Sequence, residues 1–121
     1  MAQVLAYIPD LLFGSRVQAA LTAAGHQVVL VADAEIIRER LADVAVLVVD
    51  LTDAPANRAE LVESLFADGL LEGVATLGFY SHTEVMVRGI AERAGFDLTI
   101  PRSRMAREGA ETVAKLLSSP G

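Results

Sequence analysis

The chain has 121 residues, a length that argues for one domain whose core needs no covalent staples. Its net charge is −6 and it has no cysteine. These exclude disulfides, thiolate metal sites and cysteine nucleophiles, and they give neither the basic footprint of a nucleic-acid binder nor a polybasic signal for anionic membranes. With no tryptophan, two tyrosines and four phenylalanines, the core must be built from Val, Leu, Ile and Ala. No basic stretch followed by an apolar segment marks a targeting signal, and the apolar runs fall far short of the ~20 residues that cross a bilayer. A cytoplasmic protein without membrane or nucleic-acid partners is expected.

Val4 to Ile8 is short and apolar and stops at Pro9, which reads as a first strand. Val17, Ala20, Leu21 and Ala24 recur at helical spacing within Phe13–Ala24, and Gly25 ends that helix. Gln27–Val31 reads as the second strand. Asp33 caps a helix through about Ala42, with Ile37 and Leu41 inward. Ala45–Asp50 is a third strand, apolar on both faces as a central parallel strand must be. A loop with Asp53 and Pro55 leads to a helix whose core face is Leu61, Leu65 and Phe66, ended by Asp68-Gly69. Val74–Phe79 is the fourth strand. Ser81 and Glu84 have capping-box spacing for a helix bearing Val87, Ile90, Ala91 and Ala94. Leu98–Ile100 is a short fifth strand, and a last helix from about Ser103 presents Ala106, Ala110, Val113 and Leu117. One domain over 1–117 is predicted, with a frayed tail at 118–121.

Five strands alternating with five helices predict an α/β three-layer sandwich with a parallel sheet covered on both faces. Right-handed crossovers and this length favour the flavodoxin-like strand order 2-1-3-4-5. Ligands of such sheets bind beyond the carboxyl ends of the strands, at the switch point between strands one and three. Those ends carry Asp10 and Asp50, and strands four and five deliver Ser81, His82, Arg102, Ser103 and Arg104 to the same edge. The predicted pocket is therefore Asp10, Asp50, Ser81, His82, Arg102, Ser103 and Arg104.

Element order, length and the strand-end Asp50 resemble the response-regulator receiver (CheY-like) superfamily of two-component signal transduction. The resemblance implies Asp50 as phospho-acceptor, an acid pair after the first strand that binds Mg²⁺ with it, a Ser or Thr after the fourth strand, and a Lys after the fifth. The chain departs from that pattern. The acid pair falls on Ile8-Pro9, with Asp10 one residue later. Ser81, or else Tyr80, takes the hydroxyl position. The Lys position falls on Pro101 or Arg102, and the one lysine, Lys115, lies in the last helix. Pro55 sits one place later than the family's proline. The stretches Pro9-Asp10-Leu11-Leu12-Phe13 with Ser15-Arg16, Gly78-Phe79-Tyr80-Ser81-His82 and Pro101-Arg102-Ser103-Arg104 resemble a receiver-like group sharing these departures, an atypical or pseudo-receiver.

Each residue has a second reading. Asp50 is a phospho-acceptor, or a strand-end acid that caps the next loop or pairs with an arginine. The missing lysine favours the second, because phosphoryl transfer depends on positioning and charge stabilisation. Asp10 is a weak Mg²⁺ ligand with Asp50 (Asp53 a third), or the cap of the first helix. No cofactor is obligatory. Ser81 reads better as a cap than as a nucleophile with His82, which is a loop histidine or a pH reporter. Arg102, Ser103 and Arg104 form an anion site, or else Arg102 or Arg104 pairs internally with Asp50 or Asp10. Breaking such a pair, if buried, would cost ~3–5 kcal/mol. Arg16 can join either arrangement. The expected function is a stand-alone receiver-like module that is not an enzyme. It would act through a protein partner or as a homodimer, the fourth helix with Met86 and Arg88-Gly89 offering a surface. The alternatives are a small-anion or nucleotide-binding protein, or a weak phospho-receiver.

Overall fold

The computed structural model describes residues 2–81 and 85–118. Its five parallel strands are β1 (Gln3–Tyr7), β2 (Gln27–Val31), β3 (Val46–Asp50), β4 (Ala75–Tyr80) and β5 (Leu98–Pro101). They lie in the order β2-β1-β3-β4-β5, as the alternating pattern predicts. The helices are α1 (Leu11–Ala23), α2 (Ala34–Arg40), α3 (Pro55–Ala67), α4 (Val85–Ala94) and α5 (Arg102–Ser118). Residues 119–121 of the expected tail, and Glu84 of the expected capping box, lie outside the described residues, while Ser118 closes α5.

Strand alternation sorts the core into two layers. Val4 and Ala6 of β1, with Val46 and Val48 of β3, face α1 and α5, where Phe13, Val17, Leu21, Met105 and Val113 meet them. Leu5, Leu47 and Val49 face α2, α3 and α4, against Ile37, Val62, Leu65 and Ala91. All five residues of β3 are buried, because a central strand with helices on both sides has no solvent face. The register sets Tyr7 beside Val49 and Asp50 beside Phe79, so the carboxyl ends of β1, β3 and β4 form one edge.

Three helices differ from their predicted faces. In α3, Phe66 is 40% exposed and the buried stripe is Arg58, Ala59, Val62 and Leu65. Hydropathy alone favoured the phenylalanine, but the inward face is set by the crossover from β3. In α5 the buried residues are Met105, Gly109, Thr112 and Val113, while Ala106 and Leu117 point outward. The backbone leaves helical geometry at Glu108 (φ −128°, ψ 16°), which breaks the single periodicity read from the sequence. In α1 the helix starts earlier, at Leu11, and Phe13 and Gly14 join Val17 and Leu21 inside, with Ala20 and Ala24 exposed. A Cβ on Gly14 would stand 3.0 Å from Leu30 Cδ1, so its lack of side chain lets α1 approach the sheet. Gly25, with φ of 97°, ends α1 in the left-handed region that glycine adopts without strain.

Candidate functional site

Asp10 follows β1 and is the N-cap of α1. Its Oδ1 accepts from Phe13 N–H at 3.1 Å, one of the free donors of a helix start. Its Oδ2 accepts from Arg102 Nη2 at 2.9 Å. Arg102 opens α5 directly after β5, so the ion pair joins the first and last helices across the sheet edge. The Arg102 guanidinium also lies over the Phe13 ring, 4.1 Å from its centroid, and Phe13 in turn packs on Phe79 with ring centroids 5.1 Å apart. The Phe13 N–H bond, followed by the bond from Arg102, holds the Asp10 carboxyl below the usual aspartate range. Of the predicted internal pairs, then, Arg102–Asp10 is the one formed. It is half-exposed, with side chains 34% and 42% accessible, so the large cost attached to a buried pair does not apply to it. Arg104 turns away and pairs with Glu108 at 3.0 Å on its own helix.

Asp50 is 3% exposed at the end of β3. Its Oδ1 accepts from Thr52 N–H at 2.8 Å, closing a turn in the loop that follows. No arginine side chain bonds its carboxylate among the described residues. Its main-chain carbonyl, however, accepts from Arg58 Nη1 at 2.6 Å. Arg58 is only 9% exposed, and its guanidinium lies 5.1 Å from the centre of the Tyr7 ring. The loop between Asp50 and Arg58 carries local irregularity: Ala54 has a positive φ of 47°, uncommon for a residue with a Cβ, and the buried Thr52 hydroxyl has no hydrogen-bond partner. Asp53 is exposed.

Ser81 and Ser103 line an open cleft of about 370 Å³ with Phe13, Arg16, Arg102 and Ala106. Of the residues expected together, Asp10, Ser81, Arg102 and Ser103 thus gather around the start of α1 and α5, and Asp50 stands at the end of the neighbouring strand. Arg104 is outside the group, and His82 lies outside the described residues. The donor set fits Mg²⁺ poorly. Both Asp10 oxygens are engaged, one Asp50 oxygen closes a turn, and no three Asp, Glu or His side chains converge among the described residues, whereas Mg²⁺ demands near-octahedral oxygen ligation.

Sequence reasoning missed Arg58 and Tyr7. A signal was present: Arg58, Val62 and Leu65 sit at i, i+4 and i+7, so the arginine begins the inward stripe of α3. A charge in that position needs a polar partner or an aromatic face, and the strand-end Tyr7 supplies one.

No protein-family model and no curated protein matches the sequence. Solved structures do match in fold. The crystal structure of FixJ-N superposes with a TM-score of 0.83 at 20% identity, over 100% of this chain and 97% of that one. A response regulator receiver domain protein from Clostridium thermocellum gives 0.81 at 12% identity, over 97% and 94%. A protein assigned to pilus assembly, CpaE from Burkholderia thailandensis, gives 0.81 at 18% identity, over 98% and 100%. The chain therefore has the flavodoxin-like fold of CheY-like receiver domains, a fold shared by proteins named for signalling and for pilus assembly.

Proposed function

We propose that the chain is a receiver-like signalling and interaction module whose pocket is set by internal pairing rather than switched by ordinary aspartyl phosphorylation. One observation carries this reading: Arg102 bonds Asp10 at 2.9 Å. The residue nearest a receiver's lysine position and the residue nearest its acid pair are thereby committed to each other. The second arginine, Arg58, is bonded to the main chain of Asp50 rather than directed outward. A phosphoryl group on Asp50 needs opposing positive charge where its oxygens develop charge, and each nearby guanidinium is oriented by another group, Arg102 by the Asp10 carboxylate and Arg58 by the Asp50 main-chain carbonyl. On this reading the protein is a binding module of the cytoplasm, not an enzyme, and it works by presenting a fixed surface to a protein partner.

The test is intact mass after incubation with Mg²⁺ and acetyl phosphate, wild type beside Asp50→Asn. No phosphoryl adduct on a folded wild-type protein is expected. An adduct on wild type that Asp50→Asn lacks would restore Asp50 as a phospho-acceptor and overturn the reading.

A second reading has its own observation. The cleft lined by Arg16, Arg102, Ser81 and Ser103 offers two guanidiniums and two hydroxyls, the groups that hold small anions. A rise in melting temperature with phosphate or a nucleotide, by mass action on the native state, would favour it.

A further inference from the structure

The surface around the start of α1 and α5 differs in charge from the rest of the molecule. The stretches Asp10–Ala23 and Arg102–Ala110 contain Arg16, Arg102, Arg104 and Arg107, opposed only by Asp10 and Glu108, in a chain whose net charge is −6. Arg16 and Arg107 are exposed, and neither enters an ion pair among the described residues. Beside this charge stand two of the most exposed large apolar side chains of the protein, Leu11 at 68% and Leu12 at 83%. Leu12 precedes Arg16 by one helical turn, so the two share a face of α1, and Arg16 lines a cleft together with Arg102, Ser103 and Ala106. The Phe13 ring also lines this cleft, with the Arg102 guanidinium stacked on it. Only one Arg102 donor goes to Asp10, and a guanidinium has five.

We propose that this face docks an acidic segment of a protein partner, a carboxylate entering the cleft between Arg16 and Arg102 and an apolar side chain covering Leu11 and Leu12. Charge complementarity selects the partner: a basic, leucine-bearing patch attracts an acidic surface, while the net charge of −6 on every copy opposes self-association. The leucines supply the apolar contact that an ion pair at an interface rim does not. This inference rests on the partner-binding reading above and names the partner's chemistry.

The experiment selects short randomised peptides on the immobilised full chain. One library is built from Asp, Glu, Leu and Phe, the other carries Lys and Arg in place of the acids. The acidic library is expected to enrich, and its winners to bind Leu12→Asp and Arg16→Glu at least about tenfold more weakly than wild type, a loss of about 1.4 kcal/mol. Both substitutions are at exposed positions, so the fold is checked by an unchanged melting curve. Arg16→Glu is further expected to bind basic-library peptides that wild type ignores, a reversal that mere loss of structure would not give. The proposal is overturned if neither library enriches, if the winners bind both variants as well as wild type, or if millimolar phosphate displaces them completely, which would make the cleft a free-anion site. It is also overturned if the wild type self-associates and Leu12→Asp makes it monomeric, since the occupant would then be a second copy. Asp50 takes no part in this docking. A phosphoryl adduct would therefore overturn the pocket reading with peptide selection unchanged, and failed selection would leave the mass result standing.

Discussion

Two arginines close the carboxyl edge of the sheet from opposite layers, and they do so with the same chemistry. Arg102, on the α1–α5 side, lies over Phe13 and bonds a carboxylate, half in solvent. Arg58, on the α3 side, lies over Tyr7 and bonds a main-chain carbonyl, nearly out of solvent. By formal charge the first contact looks the stronger, since it is an ion pair. Burial reverses the order. An exposed pair is screened and gains little over hydration, whereas a buried carbonyl that loses its donor bears the desolvation cost alone. The difference also separates roles. The inner arginine fixes the Asp50 loop, and the outer one leaves donors for something that arrives from solvent.

The sharpest way to break the comparison is Arg58→Ala. It removes the bond to the Asp50 carbonyl and the Tyr7 stack together, and a cost of about 2–3 kcal/mol is expected. Arg58→Met keeps most of the hydrocarbon volume and removes only the donor. Chemical denaturation should find the methionine variant between alanine and wild type. A methionine variant as stable as wild type would show that the carbonyl bond contributes nothing and that Arg58 is there for packing.

Arg102→Ala should cost less. Stacking of a partly exposed guanidinium on the Phe13 ring is worth about 0.5–1 kcal/mol, and the half-exposed pair adds little beyond it. Measured in the same denaturant series, a loss equal to that of Arg58→Ala would erase the distinction between the two sides. Salt offers a second handle. Raising ionic strength should narrow the gap between wild type and Arg102→Ala, because it screens the exposed pair, and should leave the Arg58 gap nearly unchanged.

How the two arginines read in the sequence is instructive. The strand order, the edge where Asp10, Asp50 and Arg102 lie and the Arg102–Asp10 alternative were all legible. Apolar runs, turn glycines and strand-end acids act locally, and handedness rules do the rest. Arg104 was not separable from Arg102 by sequence, since both follow β5. The turn of α5 decides it by sending Arg104 toward Glu108. Arg58 was legible in principle as a charge inside an inward stripe, but apolar Phe66 and Leu61 masked it, because hydropathy ranks a side chain without knowing which face the crossover presents. The partner of Arg58 was not legible at all. A main-chain carbonyl has no residue identity, so no pattern of side chains announces it.

The smallest expected effect is also the most specific to the outer pair. Folding lowers the pKa of the Asp10 carboxyl relative to the unfolded chain, chiefly through the Phe13 N–H and next through Arg102. A carboxylate so favoured contributes stability that is complete above the unfolded value of ~3.9 and is lost as pH falls through the lower, folded value. Asp10→Asn retains an oxygen for the Phe13 N–H and cannot ionise, so it isolates the charge. The melting-temperature gap between wild type and Asp10→Asn should be constant from neutral pH to about 5 and should close on further acidification. In an Arg102→Ala background the gap should be smaller at neutral pH but not zero, since the Phe13 N–H still prefers a carboxylate to an amide. A gap that widens on acidification would reverse the sign of the Asp10 shift. A gap abolished by Arg102→Ala would assign all of it to the arginine, and the cap would then stabilise α1 without distinguishing charge.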